Sequence, residues 1–180
     1  MGVNRPAEAA LAVPVLPDAL AAGLTYSLLA ERAGVTRQTL YRHWPARAAL
    51  LVDLILTGNS SGYPEPGSDP RAVATAWLTS LRGGLEDRAT RAAVLAVTAQ
   101  ADVDPDSAQA LVRIGADRLA AFNQLLAPSG LQVGAEEYTM LVGPVLARLF
   151  FDRVEVTAEF IDNVVSGWLA TLRCRYDHSE

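Results

Sequence analysis

The chain of 180 residues has no lysine, one cysteine, two histidines and no unbroken apolar run near the ~20 residues that a membrane-spanning helix needs. Each absence excludes something. A lone Cys174 cannot form an internal disulfide, which suits a reducing, cytoplasmic setting. With His43 and His178 as the only imidazoles, a zinc or haem site lacks ligands. Gly83-Gly84 has no lysine beside it and follows no strand pattern, so it is no phosphate-cradling loop. Asp102-Val103-Asp104-Pro105-Asp106 opens like a calcium loop. Its sixth position is Ser107 instead of glycine and its twelfth is Arg113 instead of glutamate, so helix capping explains these aspartates better. No serine, cysteine or carboxylate pair stands in a nucleophile context. The expectation is a protein that is not an enzyme, with no catalytic residue, no metal and no cofactor. Pro14 and Pro17 break the apolar stretch behind Arg5, so no leader peptide is expected.

Apolar residues make up 51 % of the chain, enough for a sizeable core. The net charge of −5 at first argues against nucleic acid, but its distribution argues for it. Residues 1–60 carry five arginines against four carboxylates, net +1, whereas residues 61–180 carry ten against sixteen, net −6. Arg32, Arg37, Arg42 and Arg47 fall close together, so a locally basic head precedes an acidic body.

From Gly58 to Pro70, glycine, proline, serine and asparagine crowd together and no period survives. This sets expected limits of a head at 1–57, a linker at 58–69 and a body at 70–180. Elsewhere alanine, leucine and arginine dominate and apolar residues recur at three and four, so the chain reads as all-α. Five body helices are expected, over about 69–86, 88–101, 104–127, 135–154 and 157–175. Asp69-Pro70 and Asp104-Pro105 start two of them, Pro128-Ser129-Gly130 ends the third, and Thr157 caps the last. Pro144 either kinks the fourth or marks a later start for it. The last helix carries an apolar stripe of Phe160, Ile161, Val164, Val165, Trp168, Leu169 and Leu172, too wide for its own core alone, which implies a partner helix.

The chemistry lies in Thr25–Arg47. Thr25 can cap a short helix over 26–33, Gly34 can supply positive φ at its end, and Val35 can fill the corner. Thr36 can cap a second helix, which Pro45 stops. Two short helices on a glycine turn make a helix-turn-helix. On the second, Leu40 and Trp44 share an inward face and Gln38 and Arg42 lie opposite, with Thr39 and Tyr41 on the flanks. Such a face can meet base edges, while Tyr, His and Arg bond phosphates.

The run Ala30-Glu-Arg-Ala-Gly-Val-Thr-Arg-Gln-Thr-Leu-Tyr-Arg-His-Trp-Pro-Ala-Arg-Ala-Ala-Leu50 resembles the TetR-family signature, an alanine-glycine-valine turn followed by a leucine-tyrosine pair. That resemblance implies a three-helix helix-turn-helix head followed by a helical bundle body, dimeric through its last two helices. It implies that Arg37, Gln38 and Thr39 face bases, that Tyr41, His43 and Arg47 meet the DNA backbone, and that the helix capped by Thr25 approaches a phosphate. Thr36 and Arg42 complete the expected DNA-binding set. Upstream the chain departs from the family pattern. Only Leu24 stands between Gly23 and Thr25, and Pro14 and Pro17 forbid a continuous helix, so a short first helix from about Pro17 is expected.

The same resemblance implies a body that binds a small molecule. Trp77, Leu81, Phe122, Leu126, Tyr138, Met140 and Leu141 are the candidates for lining its pocket, because large apolar side chains with a hydroxyl suit an apolar or aromatic effector. Phe150, Phe151, Phe160, Ile161, Val164, Val165, Trp168 and Leu172 are the candidates for the dimer interface. The expected function is a repressor released from a near-palindromic double-stranded operator by its effector, with no membrane partner. The alternative is a helical ligand- or partner-binding protein that has lost DNA binding.

Overall fold

The structure, a computed structural model, describes residues 27, 30–31, 34–44, 50 and 63–176. The described residues hold six α-helices: α1 (Arg37–His43), α2 (Pro70–Glu86), α3 (Arg88–Gln100), α4 (Pro105–Leu126), α5 (Ala135–Ala147) and α6 (Ala158–Tyr176). No strand occurs among them. The chain divides into two compact units, Met1–Ser61 with Glu86–Gly115, and Gly62–Leu85 with Ala116–Glu180, so that α4 contributes to both. The expected first helix from about Pro17 lies outside the described residues.

In the first unit, Ala30 is buried, and its carbonyl accepts from the Val35 N–H at 3.0 Å across the turn at Gly34. Gly34 has φ 65°, the left-handed region that costs a side chain about 1–2 kcal/mol. A Cβ there would meet nothing within 4 Å, so this backbone strain is the whole cost of substitution. Gly34→Ala is therefore expected to lower unfolding stability by about 1–2 kcal/mol and Gly34→Asn by less, as read from urea midpoints. Thr36 caps α1, its hydroxyl accepting from the Thr39 N–H at 3.2 Å. Asp87 caps α3 in the same way, accepting from the Thr90 N–H at 2.7 Å.

Asp104 caps α4, taking both the Ser107 N–H at 3.1 Å and the Ser107 hydroxyl at 2.5 Å. The hydroxyl bond, with the backbone N–H groups of Ser107 and Asp106, holds the Asp104 carboxyl below its usual range against the opposing effect of burial. Of the three aspartates in the calcium-like run, Asp104 serves as the cap.

The second unit holds a contiguous apolar core among the described residues. Trp77 and Leu78 of α2, Phe122 and Leu126 of α4, Leu141 and Val145 of α5 and Ile161, Val165, Trp168 and Leu172 of α6 are buried together. After α4, a 3₁₀ turn over Ala127–Ser129 ends at Gly130 in the left-handed region, where Pro128-Ser129-Gly130 was expected to stop the helix. Asn123 then holds the following loop by its amide. It donates to the Val133 carbonyl and accepts from the Val133 N–H, both at 2.9 Å.

The expected helix over 135–154 ends early. It is α-helical to Ala147, continues as a π turn over Arg148–Asp152, and stops at Arg153 with φ 58°. Pro144 stands inside α5, which begins at Ala135, so the later start is ruled out. A proline there cannot donate to the preceding turn, and the wider turn follows four residues on. α6 starts as expected, with the Thr157 hydroxyl accepting from the Phe160 N–H at 3.2 Å.

Candidate nucleic-acid interface and body site

α1 is amphipathic in the required sense. Leu40 and Trp44, four residues apart, are 1 % and 3 % exposed, while Gln38 and Arg42, also four apart, are exposed. The two pairs are offset by two residues, about 200° around the helix, so burying one pair presents the other outward. An open concavity of about 490 Å³ is lined by Thr36, Gln38, Thr39, Tyr41 and Arg42. Tyr41 is 52 % exposed on this surface. His43 is half-buried, its ring centroid 6.0 Å from that of Trp44, so it stands between core and surface.

The first turn of α1 is ordered by side chains. The Thr36 and Thr39 hydroxyls lie 3.0 Å apart and bond each other, which engages Thr39 in the cap. Arg37 is exposed, and its Nη1 donates to the Ser27 hydroxyl at 3.3 Å. Sequence reasoning alone gives Ser27 no role. Its partner is ten residues away across the glycine turn, and no local pattern signals such a contact. Thr25 and Arg47 lie outside the described residues.

The expected pocket residues divide. Trp77, Phe122, Leu126 and Leu141 are buried in the second unit's core, Leu81 and Tyr138 pack against that core half-buried, and Met140 is 43 % exposed. Four aromatic rings interlock there. Phe122 lies 5.4 Å from Trp77, 5.6 Å from Tyr138 and 6.0 Å from Trp168, centroid to centroid. The Trp77 indole donates to the Tyr138 hydroxyl at 3.2 Å, and the Trp168 indole donates to the Glu137 carbonyl at 2.9 Å.

Sequence reasoning misses Tyr63, which sits in the segment that composition marks as a linker. Its ring stacks on Trp77 at 5.3 Å and 16°. Arg118 stands 5.5 Å from the Tyr63 ring centre and donates to its hydroxyl at 3.1 Å. The Gly67 N–H bonds the Leu125 carbonyl at 3.1 Å, so residues 63–67 are tied to α4 at two points.

Burial pushes the Tyr138 phenol up to about 12 from its ordinary 10.0, against the lowering effects of the Trp77 bond and the Arg118 charge. The folded state thus keeps its proton to higher pH than the unfolded chain. Stability from this group is fully present below about pH 10 and falls by about 2–3 kcal/mol as the pH climbs through about 10 to 12. Tyr138→Phe is expected to remove that alkaline limb. At neutral pH it costs about 1–3 kcal/mol, because the buried Trp77 donor loses its acceptor. Urea melts near neutral and near about pH 11 check both effects.

The expected dimer residues also divide. Ile161, Val165, Trp168 and Leu172 belong to the core of their own chain. Phe160 and Val164 are half-buried at its edge, Phe150 is half-buried, and Phe151 is 84 % exposed beyond the π turn. Four of the seven stripe residues are therefore spent inside the chain, because positions 161, 165, 168 and 172 form one helical face. Arg148 lies 4.5 Å from the Phe160 ring centre and donates from Nε to the Glu155 carbonyl at 2.7 Å. Among the described residues, no group of three or more His, Cys, Asp or Glu is placed to hold a metal ion. No described helix is long and apolar enough to cross a membrane.

The head matches a known family. Residues 21–54 fit the model of the bacterial regulatory proteins of the tetR family. No curated protein sequence matches the chain. Among solved structures, the chain is similar to the TetR family transcription regulator SCO0332, at TM-score 0.67 and 22 % identity over 91 % of this chain and 97 % of that one. It is also similar to a TetR transcriptional regulator from Rhodococcus sp. RHA1, at TM-score 0.58 and 21 % identity, covering 94 % of this chain and 93 % of that one. A TetR family transcriptional regulator from Pseudomonas syringae pv. tomato str. DC3000 matches at TM-score 0.55 and 19 % identity, covering 94 % and 95 %. Residues 21–54 thus carry the head motif of the tetR family, and the chain shares the fold of these solved regulators over more than nine-tenths of its length.

Proposed function

We propose that the protein is a homodimeric repressor that binds a near-palindromic DNA operator and leaves it when a small apolar or aromatic effector occupies the body. The observation that carries the DNA half is the outward pair Gln38 and Arg42 on a helix anchored by buried Leu40 and Trp44. On this reading α1 enters the major groove, Gln38, Arg42 and Arg37 meet base edges, and Tyr41, His43 and Arg47 contact phosphates. Thr25 and Thr36 hold helix starts against the backbone, and Thr39 flanks the base-reading face. Phe150, Phe151, Phe160 and Val164 supply apolar surface for a second copy, with Ile161, Val165, Trp168 and Leu172 supporting it from the core.

The effector class rests on the aromatic group of Trp77, Phe122 and Tyr138, with Tyr63 stacked on it and Leu81, Leu126 and Leu141 around it. The effector shifts the population between DNA-competent and DNA-incompetent dimers without touching the DNA surface. The test is a gel shift of the full chain on the DNA upstream of its own gene, over a range of salt. A specific complex that weakens steeply with salt supports the proposal. No salt-sensitive binding to any genomic fragment points instead to a helical ligand- or partner-binding protein. A thermal-shift screen tests the effector class, and stabilisation chiefly by anionic metabolites overturns it.

A further inference from the structure

We infer that Ser27 is a positioning residue for sequence readout: it orients the Arg37 guanidinium so that its free edge reads a guanine in each operator half-site. The inference rests on the DNA reading above and adds the base and the residue that secures its recognition.

Arg37 is the first residue of α1, the end at which a recognition helix meets base edges. On the helix it lies about 60° from Leu40, between the buried face and the outward face of Gln38 and Arg42. From that flank the side chain reaches Ser27, and the bond is made by Nη1. A guanidinium carries five N–H donors in a rigid planar fork. With Nη1 turned to Ser27, the Nε–Nη2 edge keeps two parallel donors on the other side. Two parallel donors at this spacing match the N7 and O6 acceptors of guanine in the major groove. No other base pair offers that double acceptor there, so the edge discriminates as well as binds.

The neighbouring side chains sharpen the assignment. Thr36 and Thr39 are occupied with each other in the cap. Among the described residues of the first turn, Arg37 and Gln38 are thus the exposed side chains that offer N–H donors outward. A flexible arginine loses rotamer freedom on binding, and one held at Ser27 loses less. Serine at position 27 therefore adds specificity without touching DNA.

The experiment selects operator sequences from a random double-stranded library with the full-length protein, then measures binding of variants to the winning site and to that site with single base changes. Wild type is expected to select one guanine per half-site whose replacement weakens binding about 5- to 150-fold. Arg37→Ala and Arg37→Lys are expected to lose that preference alone, since lysine has the charge without the fork. Ser27→Ala should cut the guanine preference severalfold while leaving the melting temperature, non-specific binding and salt slope unchanged, and Ser27→Thr should restore it. If Arg37→Ala instead weakens all sequences equally and lowers the salt slope by about one per protomer, Arg37 holds a phosphate and the inference is overturned. If Ser27→Ala discriminates as wild type does, the positioning role is overturned. A wild type that selects no sequence overturns the DNA reading together with this one.

Discussion

Phe122→Ala is expected to destabilise the protein by about 3–5 kcal/mol. Phe122 is fully buried, and its ring touches three others. Truncation removes the apolar area of the ring and leaves a cavity walled by Trp77, Tyr138 and Trp168. Those rings are held by indole hydrogen bonds to the Tyr138 hydroxyl and the Glu137 carbonyl, so they cannot readily collapse into the space. The cost therefore falls toward the upper part of the range. For a chain of this size the midpoint should drop by about 6–20 °C, against about a third of that for Phe122→Leu, which refills most of the volume. Calorimetry of both variants decides the matter. A loss below about 1 kcal/mol for the alanine variant would show that the ring is not a packing centre.

Much of this architecture is legible because the sequence punctuates it. Asp87, Asp104 and Thr157 cap helices by a short side chain three residues from its target. Gly34 and Gly130 take left-handed conformations where helices stop. The buried pair Leu40 and Trp44 follows from spacing alone. What escapes is encoded in interactions distant along the chain. Tyr63 lies in a stretch with no period, and only folding brings it onto Trp77, so composition marks it as linker. The Ser27–Arg37 bond crosses a turn. The end of α5 also escapes, because no glycine marks position 153, where Arg153 adopts positive φ instead. The stripe on α6 is visible whole, but spacing does not say which part packs inward. The packed structure gives 161, 165, 168 and 172 to the chain's own core and leaves 160 and 164 at its edge.

Replacing Gln38 and Arg42 together by alanine is expected to remove most of the operator specificity, leaving only the contribution of Arg37, while sparing the fold. Both side chains are exposed, and neither contributes to the Leu40–Trp44 anchor, so the melting temperature should move by less than about 2 °C. Each well-placed bidentate hydrogen-bond pair to a base is worth about 1–3 kcal/mol of discrimination. A symmetric dimer would make each pair twice, so four of them account for much of the roughly 4–10 kcal/mol that separates specific from non-specific binding. The double variant should therefore bind the operator about 10³-fold more weakly, or worse. On random DNA it should bind nearly as well as wild type, because phosphate contacts carry non-specific affinity. Tyr41→Phe is expected to behave in the opposite way. Without the hydroxyl, one phosphate hydrogen bond disappears on every sequence alike, so binding weakens uniformly and the ranking of operators stays intact. Titrating wild type, the double variant and Tyr41→Phe against operator and random duplexes at two salt concentrations separates these roles. An operator affinity within about threefold of wild type for the double variant would mean that the outward face of α1 does not read bases. The large apolar side chains of that helix would then be anchoring a surface with some other use.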